Sequence, residues 1–136
     1  VDERHARPAA QLVAPDRQET GRYGEDLAHG YLHRLGWQVV ERNWRCARGE
    51  IDIVALEPLP SGGRCIVFVE VKCRRGRGYG DPLEAVTRNK VRKLVELSQL
   101  WLREHDLHAE QIRIDAIGVL HERGRNQVHH VRGVTR

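Results

Sequence analysis

With 136 residues, 23 basic against 19 acidic side chains and a formal net charge of +4, the chain has the length of one domain with its own hydrophobic core and too little for two. The longest run without a polar side chain or glycine is the five residues from Cys65 to Val69, against roughly 20 for a membrane-spanning helix. The first residues carry charges and prolines where a secretion signal would carry an apolar stretch, so neither a membrane partner nor export is expected, and the location expected is cytoplasmic.

Residues 1–15 lack periodicity and read as a flexible N-terminal tail, with a single domain over residues 16–136. A helix is expected from Asp16, which has Glu19 at capping-box spacing. Tyr23, Leu27, Tyr31 and Leu35 recur every four residues, with Ala28 and Leu32 beside them, and Gly36 closes the helix. On a helical wheel Glu25 falls at the rim of this apolar stripe. Its carboxylate can therefore reach past the edge of whatever the helix covers.

Residues 37–43, 50–56, 64–72, 112–120 and 127–133 read as strands from their alternation and β-branched content. "EPLPSGG" and "ERGRN" supply the turns of two hairpins. Between the third and fourth strands, Asp81 as N-cap, Pro82 at N1 and Glu84 at N3 predict one helix running to about Glu104. Thr87 and Lys90 fall inside its apolar face. Either Lys90 snorkels from the core, or the first turns of the helix cover a polar cleft, and in that case Lys90 counts among the catalytic candidates. The order αβββαβ with a closing hairpin predicts an α/β domain on a mixed central sheet flanked by helices.

Strand alternation puts Glu50 and Asp52 on one face of the second strand, opposite Ile51 and Ile53, and Glu70 and Lys72 on one face of the third. If these two strands form a hairpin, Asp52, Glu70 and Lys72 converge. Carboxylates held that close repel unless a proton or a cation lies between them, and oxygen-only ligands suit Mg²⁺ or Mn²⁺. Such an ion acts on water and phosphodiesters, with a neighbouring ammonium to balance charge. A wet sheet face with weak cross-strand ion pairs is the plainer reading of the same residues. Lysine usage bears on the choice: 20 of the 23 basic residues are arginine, and the lysines are Lys72, Lys90 and Lys93. A compact amine whose pKa can be adjusted stands where E-x-K needs one.

Basic residues bracket the acidic ones. Arg42, Arg45 and Arg48 precede Glu50, while Arg74, Arg75 and Arg77 follow Lys72, and all of these but Arg42 are candidates for contacts with nucleic-acid phosphates. The glycine-rich loop that holds Arg74, Arg75 and Arg77 is expected to become ordered on DNA. Cys46, Cys65 and Cys73 are odd in number and lack C-x-x-C spacing, so they read as reduced thiols, and no histidine pair has the acidic helper of a zinc motif.

The segments "GRYGEDLAHGYLHRLGW", "ERNWRCARGEIDIVA", "VFVEVKCR" and "AVTRNKVRKL", in this order over about residues 20 to 120, resemble the YraN-like family of bacterial proteins. That family is similar to the restriction-endonuclease-like PD-(D/E)-x-K superfamily, which includes Holliday-junction resolvases. The resemblance implies a restriction-endonuclease-like αβββαβ core. It gives Glu25 the part of the glutamate on the first helix, Asp52 that of the acidic "PD" residue, and Glu70 and Lys72 those of (D/E)-x-K. Metal would be held by Asp52, Glu70 and the Val71 carbonyl, with Lys72 assisting the attacking water. Ile51 replaces the proline of the superfamily name. Glu50 adds a carboxylate that binds a second ion or pairs with Arg48, and Cys73 reads as packing. The implied activity is a Mg²⁺- or Mn²⁺-dependent DNA endonuclease, selective for branched DNA in one form; the alternative is a nucleic-acid-binding protein without useful catalysis. DNA is the expected partner, and a homodimer is left open.

Overall fold

In the computed structural model, residues 17–76 and 80–135 are described; the tail, Asp16, Arg77 and the rest of residues 77–79 lie outside them. The elements are α1 (Arg17–Arg34), β1 (Gln38–Cys46), β2 (Gly49–Pro58), β3 (Arg64–Arg75), a 3-10 turn (Pro82–Ala85), α2 (Arg88–Glu104), β4 (Gln111–Glu122) and β5 (Arg125–Val131). They form one five-stranded sheet in sequence order, antiparallel except for the parallel pair β3–β4. α2 makes the crossover between those two strands, as a parallel connection requires. The expected αβββαβ core on a mixed sheet is present.

Each face of the sheet has its own apolar layer. Ala28 and Leu32 of α1 close over Ile53, Val67, Val69 and Ile117 on one side, and Leu94, Leu97 and Trp101 of α2 over Val54, Ile66 and Phe68 on the other. From Cys65 to Val69 strand β3 is buried on both faces, which accounts for its unbroken apolar run. Gly24 lets α1 come down onto β3: a Cβ there would lie 2.6 Å from Cys73 Cβ. Cys73 is indeed packed in the layer beneath α1.

Four expectations need correction. Leu35 is exposed, because α1 stops at Arg34 and Gly36, at φ +86°, turns the chain so that Trp37 fills the core instead. Asp81 and Glu84 do form a capping box, but on the short 3-10 turn; Val86 breaks the path and Thr87 caps α2 afresh through the Lys90 N–H. The first strand runs on to Cys46 and pairs with Gly49 around a tight turn. Finally, Ile51 and Ile53 do not share a layer: Ile53 packs under α1 and Ile51 under α2. The ladder between β2 and β3 begins only at Ile53. Beyond it β1 and β2, with a register shift between Val39 and Glu41 and Asn43 at φ +54°, twist toward α2, where a Cβ on Gly49 would lie 3.3 Å from Leu97.

A buried polar network closes the α1 layer at its far end. Asp115, with no exposed surface, accepts from Arg113 through both carboxylate oxygens, from the Gly133 N–H at 3.0 Å and from His130 Nε2 at 2.8 Å. The Tyr31 hydroxyl lies 3.0 Å from His130 Nδ1. Burial pushes the Asp115 carboxyl up, but these hydrogen bonds outweigh it and hold the group down at about 2.

Candidate active site

The site forms where β3 leaves the core. Past Val69 its even-numbered side chains still point to the α2 side, but α2 covers that side only from Leu94 onward, so Glu70 and Lys72 are left over a cleft. The diagonal that pairs Ile53 with Val69 brings Asp52 opposite Glu70. There the Asp52 carboxylate accepts the Val71 N–H at 2.8 Å, which anchors the acid to the strand that carries E-x-K. Lys72 Nζ lies 3.8 Å from the Glu70 carboxylate.

Two helices complete the cluster. Glu25, one residue beyond the Gly24 contact with β3, is close enough to Asp52 that the two carboxylates repel. Burial first, and Asp52 second, raise the Glu25 pKa. Glu25 Oε1 is buried without a hydrogen-bond partner, with Arg42 Nη2 3.7 Å away. From the other side, Lys90 in the first turn of α2 meets Lys72 and Glu70. The close Lys72 amine first, and desolvation second, lower the Lys90 pKa. Lys90 therefore stands over the polar cleft, whereas the Thr87 hydroxyl is engaged in capping.

Glu70 carries the largest consequence. Desolvation, a hydrogen bond shared with Asp52 and the charge of Asp52 push its carboxyl up to about 8 against the weaker pull of Lys72 and Lys90. At neutral pH the pair Asp52–Glu70 therefore holds a proton between its two carboxylates. A hard divalent cation would do the same work. The donors at hand, two carboxylates and the Val71 carbonyl, suit Mg²⁺ or Mn²⁺, which retain several waters. Among the described residues no three His, Cys, Asp or Glu side chains gather into one metal-binding group. Any ion would accordingly keep a largely aqueous coordination sphere.

The remaining candidates are more dispersed. Glu50 pairs with Arg45 at 3.1 Å, both side chains being more than half exposed, and Arg48 pairs with Glu96 of α2 rather than with Glu50. Arg74 and Arg75 continue β3 beyond Lys72, Arg75 exposed and Arg74 partly so. Sequence reasoning placed Arg42 only among the basic residues before Glu50 and missed Asn43. Arg42 lies between Glu25 and Asp26, and the Asn43 side chain hydrogen-bonds Glu25. The only sequence signal for the latter was an asparagine inside a strand, the residue type most tolerant of a left-handed backbone after glycine.

Fold and site together define an α/β protein with an αβββαβ core and an acidic–lysine cluster where its central strand emerges. Residues 24–119 match the model of "Uncharacterised protein family UPF0102", and the chain belongs to that family, the YraN-like one. It is similar to a UPF0102 protein of Beutenbergia cavernae, 50% identical over 84% of this chain and 93% of the relative. The UPF0102 protein of Pseudarthrobacter chlorophenolicus is 47% identical over 84% and 83%. That of Pelobacter propionicus is 43% identical over 96% and 91%. No helix among the described residues is long and apolar enough to cross a membrane.

Proposed function

We propose that this protein is a Mg²⁺- or Mn²⁺-dependent endonuclease that hydrolyses phosphodiester bonds in DNA. The observation that carries the reading is the meeting of Asp52 and Glu70 with Lys72 at the exit of β3, where burial first and the neighbouring Asp52 second push Glu70 up to about 8. A carboxyl displaced by burial and a specific charged partner, in a cleft, is a candidate for chemistry. The restriction-endonuclease-like resemblance of the same residues supports it.

Asp52, held by the Val71 N–H, and Glu70 would bind the ion with the Val71 carbonyl. When bound, the ion supplies positive charge to the phosphoryl oxygens and acidifies a water. Lys72 Nζ exchanges a proton with the attacking water, and its charge balances that of the phosphorane. Lys90, paired with Lys72 across the cleft, binds a non-bridging phosphate oxygen. Glu25, its Oε1 without a partner, orients water from the α1 side. Arg74, Arg75 and Arg77 hold the strand by its backbone, as phosphate contacts do in position-setting interfaces.

A second reading, a DNA-binding protein without useful catalysis, is favoured by the Lys72–Glu70 ion pair at 3.8 Å and by the absence of a third ligand side chain among the described residues. Cleavage assays on junction, flap, single-stranded and linear DNA, with and without Mg²⁺ or Mn²⁺, separate the two. Metal-dependent products lost in Asp52→Asn support the nuclease. Binding without products on every substrate supports the alternative.

A further inference from the structure

The sheet beside the site is lined by small residues. Across β3, β4 and β5, Glu70 pairs with Ala116 and Ala116 with Val131; one step along, Lys72 pairs with Gly118 and Gly118 with His129. α2 does not cover this half of the face. The 3-10 turn does, and it sits so low that a Cβ on Gly118 would be 2.9 Å from Leu83 Cγ. Between the turn and α2 lies a cavity of about 520 Å³, walled by Leu83, Val86, Ala116 and Val131, with Arg88 and Arg92 also contributing. This volume is in the range of roughly 300–1,000 Å³ typical of small-ligand sites.

Three features say what belongs there. The floor at Ala116 is one strand spacing, ~4.8 Å, from Glu70. A phosphate held by the Lys72 amine, beside Glu70 on the same strand, therefore has its own sugar and base within reach of the cavity. Arg88 and Arg92 are exposed and one helical turn apart, and neither has an acidic partner among the described residues. Finally, the first turn of α2 has no acidic residue, although a helix start ordinarily favours one; Thr87 caps the Lys90 N–H, and no carboxylate of that turn repels an external anion.

We infer that the cavity receives a nucleobase turned out of the stack beside the scissile phosphate, with Arg88 and Arg92 on flanking phosphates. The apolar walls cover the faces of the base. Extrusion is unfavourable for a paired base and nearly free for one that is already unpaired, so the preferred substrate is DNA with a bulged, mismatched or junction-exposed nucleotide. This deepens the nuclease reading and rests on it for the position of the phosphate.

The test uses the whole chain and two duplexes, one with a single unpaired 2-aminopurine and one with the same base paired, without divalent ion. Binding to the bulged duplex is expected to change the 2-aminopurine fluorescence and to be about tenfold tighter than to the paired one. Val131→Phe, which fills the cavity, should bring that ratio to about one, with thermal melting as the check on its fold. Bound wild type with unaltered fluorescence overturns the inference even if the variant does not fold, as does a folded variant that keeps the preference. Cleavage in Mn²⁺ is read separately. Cut DNA without a fluorescence response removes the cavity and leaves the nuclease; the response with no cut DNA removes the nuclease and leaves the cavity.

Discussion

The Asp52 carboxylate accepts the Val71 main-chain N–H at 2.8 Å, so an acidic side chain takes over where the ladder between β2 and β3 ends. The bond fixes one carboxylate against another, and burial first and Asp52 second raise the Glu70 carboxyl, a strain that a cation would relieve. Millimolar Mn²⁺ should therefore raise the melting temperature of wild type, since an ion that binds only the folded state at 100 times its Kd adds ~2.7 kcal/mol. Asp52→Asn keeps an oxygen for the Val71 N–H and should fold, but lose the response. A wild-type midpoint indifferent to metal would remove the ion site.

Arg74 and Arg75 extend β3 past Lys72 toward the segment that holds Arg77. Replacing all three by alanine should weaken DNA binding and flatten its dependence on salt, by about 0.9 in the log–log slope for each phosphate that the variant no longer neutralises. Titrations at several salt concentrations measure it. A slope identical to that of wild type would assign these charges to solvent.

Asp115 ties acid stability to the far end of the sheet. Its carboxyl stands at about 2 in the fold against an ordinary 3.8. A depressed value means stability that is fully present above the unfolded pKa and is lost as pH falls through the folded one. The amount is ~2 kcal/mol at neutral pH. Denaturant unfolding should show this loss between about pH 4 and pH 2. Asp115→Asn should lack that slope and lose roughly 3 kcal/mol at neutral pH, because Arg113 then keeps a buried charge with one partner fewer. An unaltered acid slope in the variant would place the titration elsewhere.

The E-x-K strand was legible because alternation fixes which face a side chain takes, and Glu70 and Lys72 interrupt a run otherwise apolar on both faces. Gly36 was equally readable as a helix stop. The break before α2 was not: the capping signal at Asp81 is real, and nothing local says that its helix lasts one turn before Thr87 starts another. Ile51 and Ile53 separate because of twist that accumulates over the β1–β2 hairpin, a property of two strands and not of either sequence. Asp115 stood inside a predicted strand with only Arg113, two residues away on the same face, as a local partner, since His130 and Gly133 reach it only after β5 has paired with β4. The open floor at Ala116 and Gly118 gave no signal, because small residues in a strand mark a space only once the element above it is known.

Lys72→Arg should fail to restore the cleavage that Lys72→Ala removes, although it preserves the charge. An amine is a compact donor that can give up a proton beside a metal, and here a second amine, Lys90, whose own pKa is lowered, lies against it. A guanidinium stays protonated and cannot take the amine's part in a proton exchange beside Glu70, 3.8 Å from Lys72 Nζ. Losing a general acid–base group lowers the rate by about 10²- to 10⁴-fold, and both variants should show a reduction in that range in kcat, with DNA affinity retained through the arginines. The pH–rate profile tells the roles apart: the limb that reports Lys72 should vanish in Lys72→Arg if the amine moves a proton. An arginine variant that cleaves as wild type does, with the same profile, would reduce Lys72 to a positive charge.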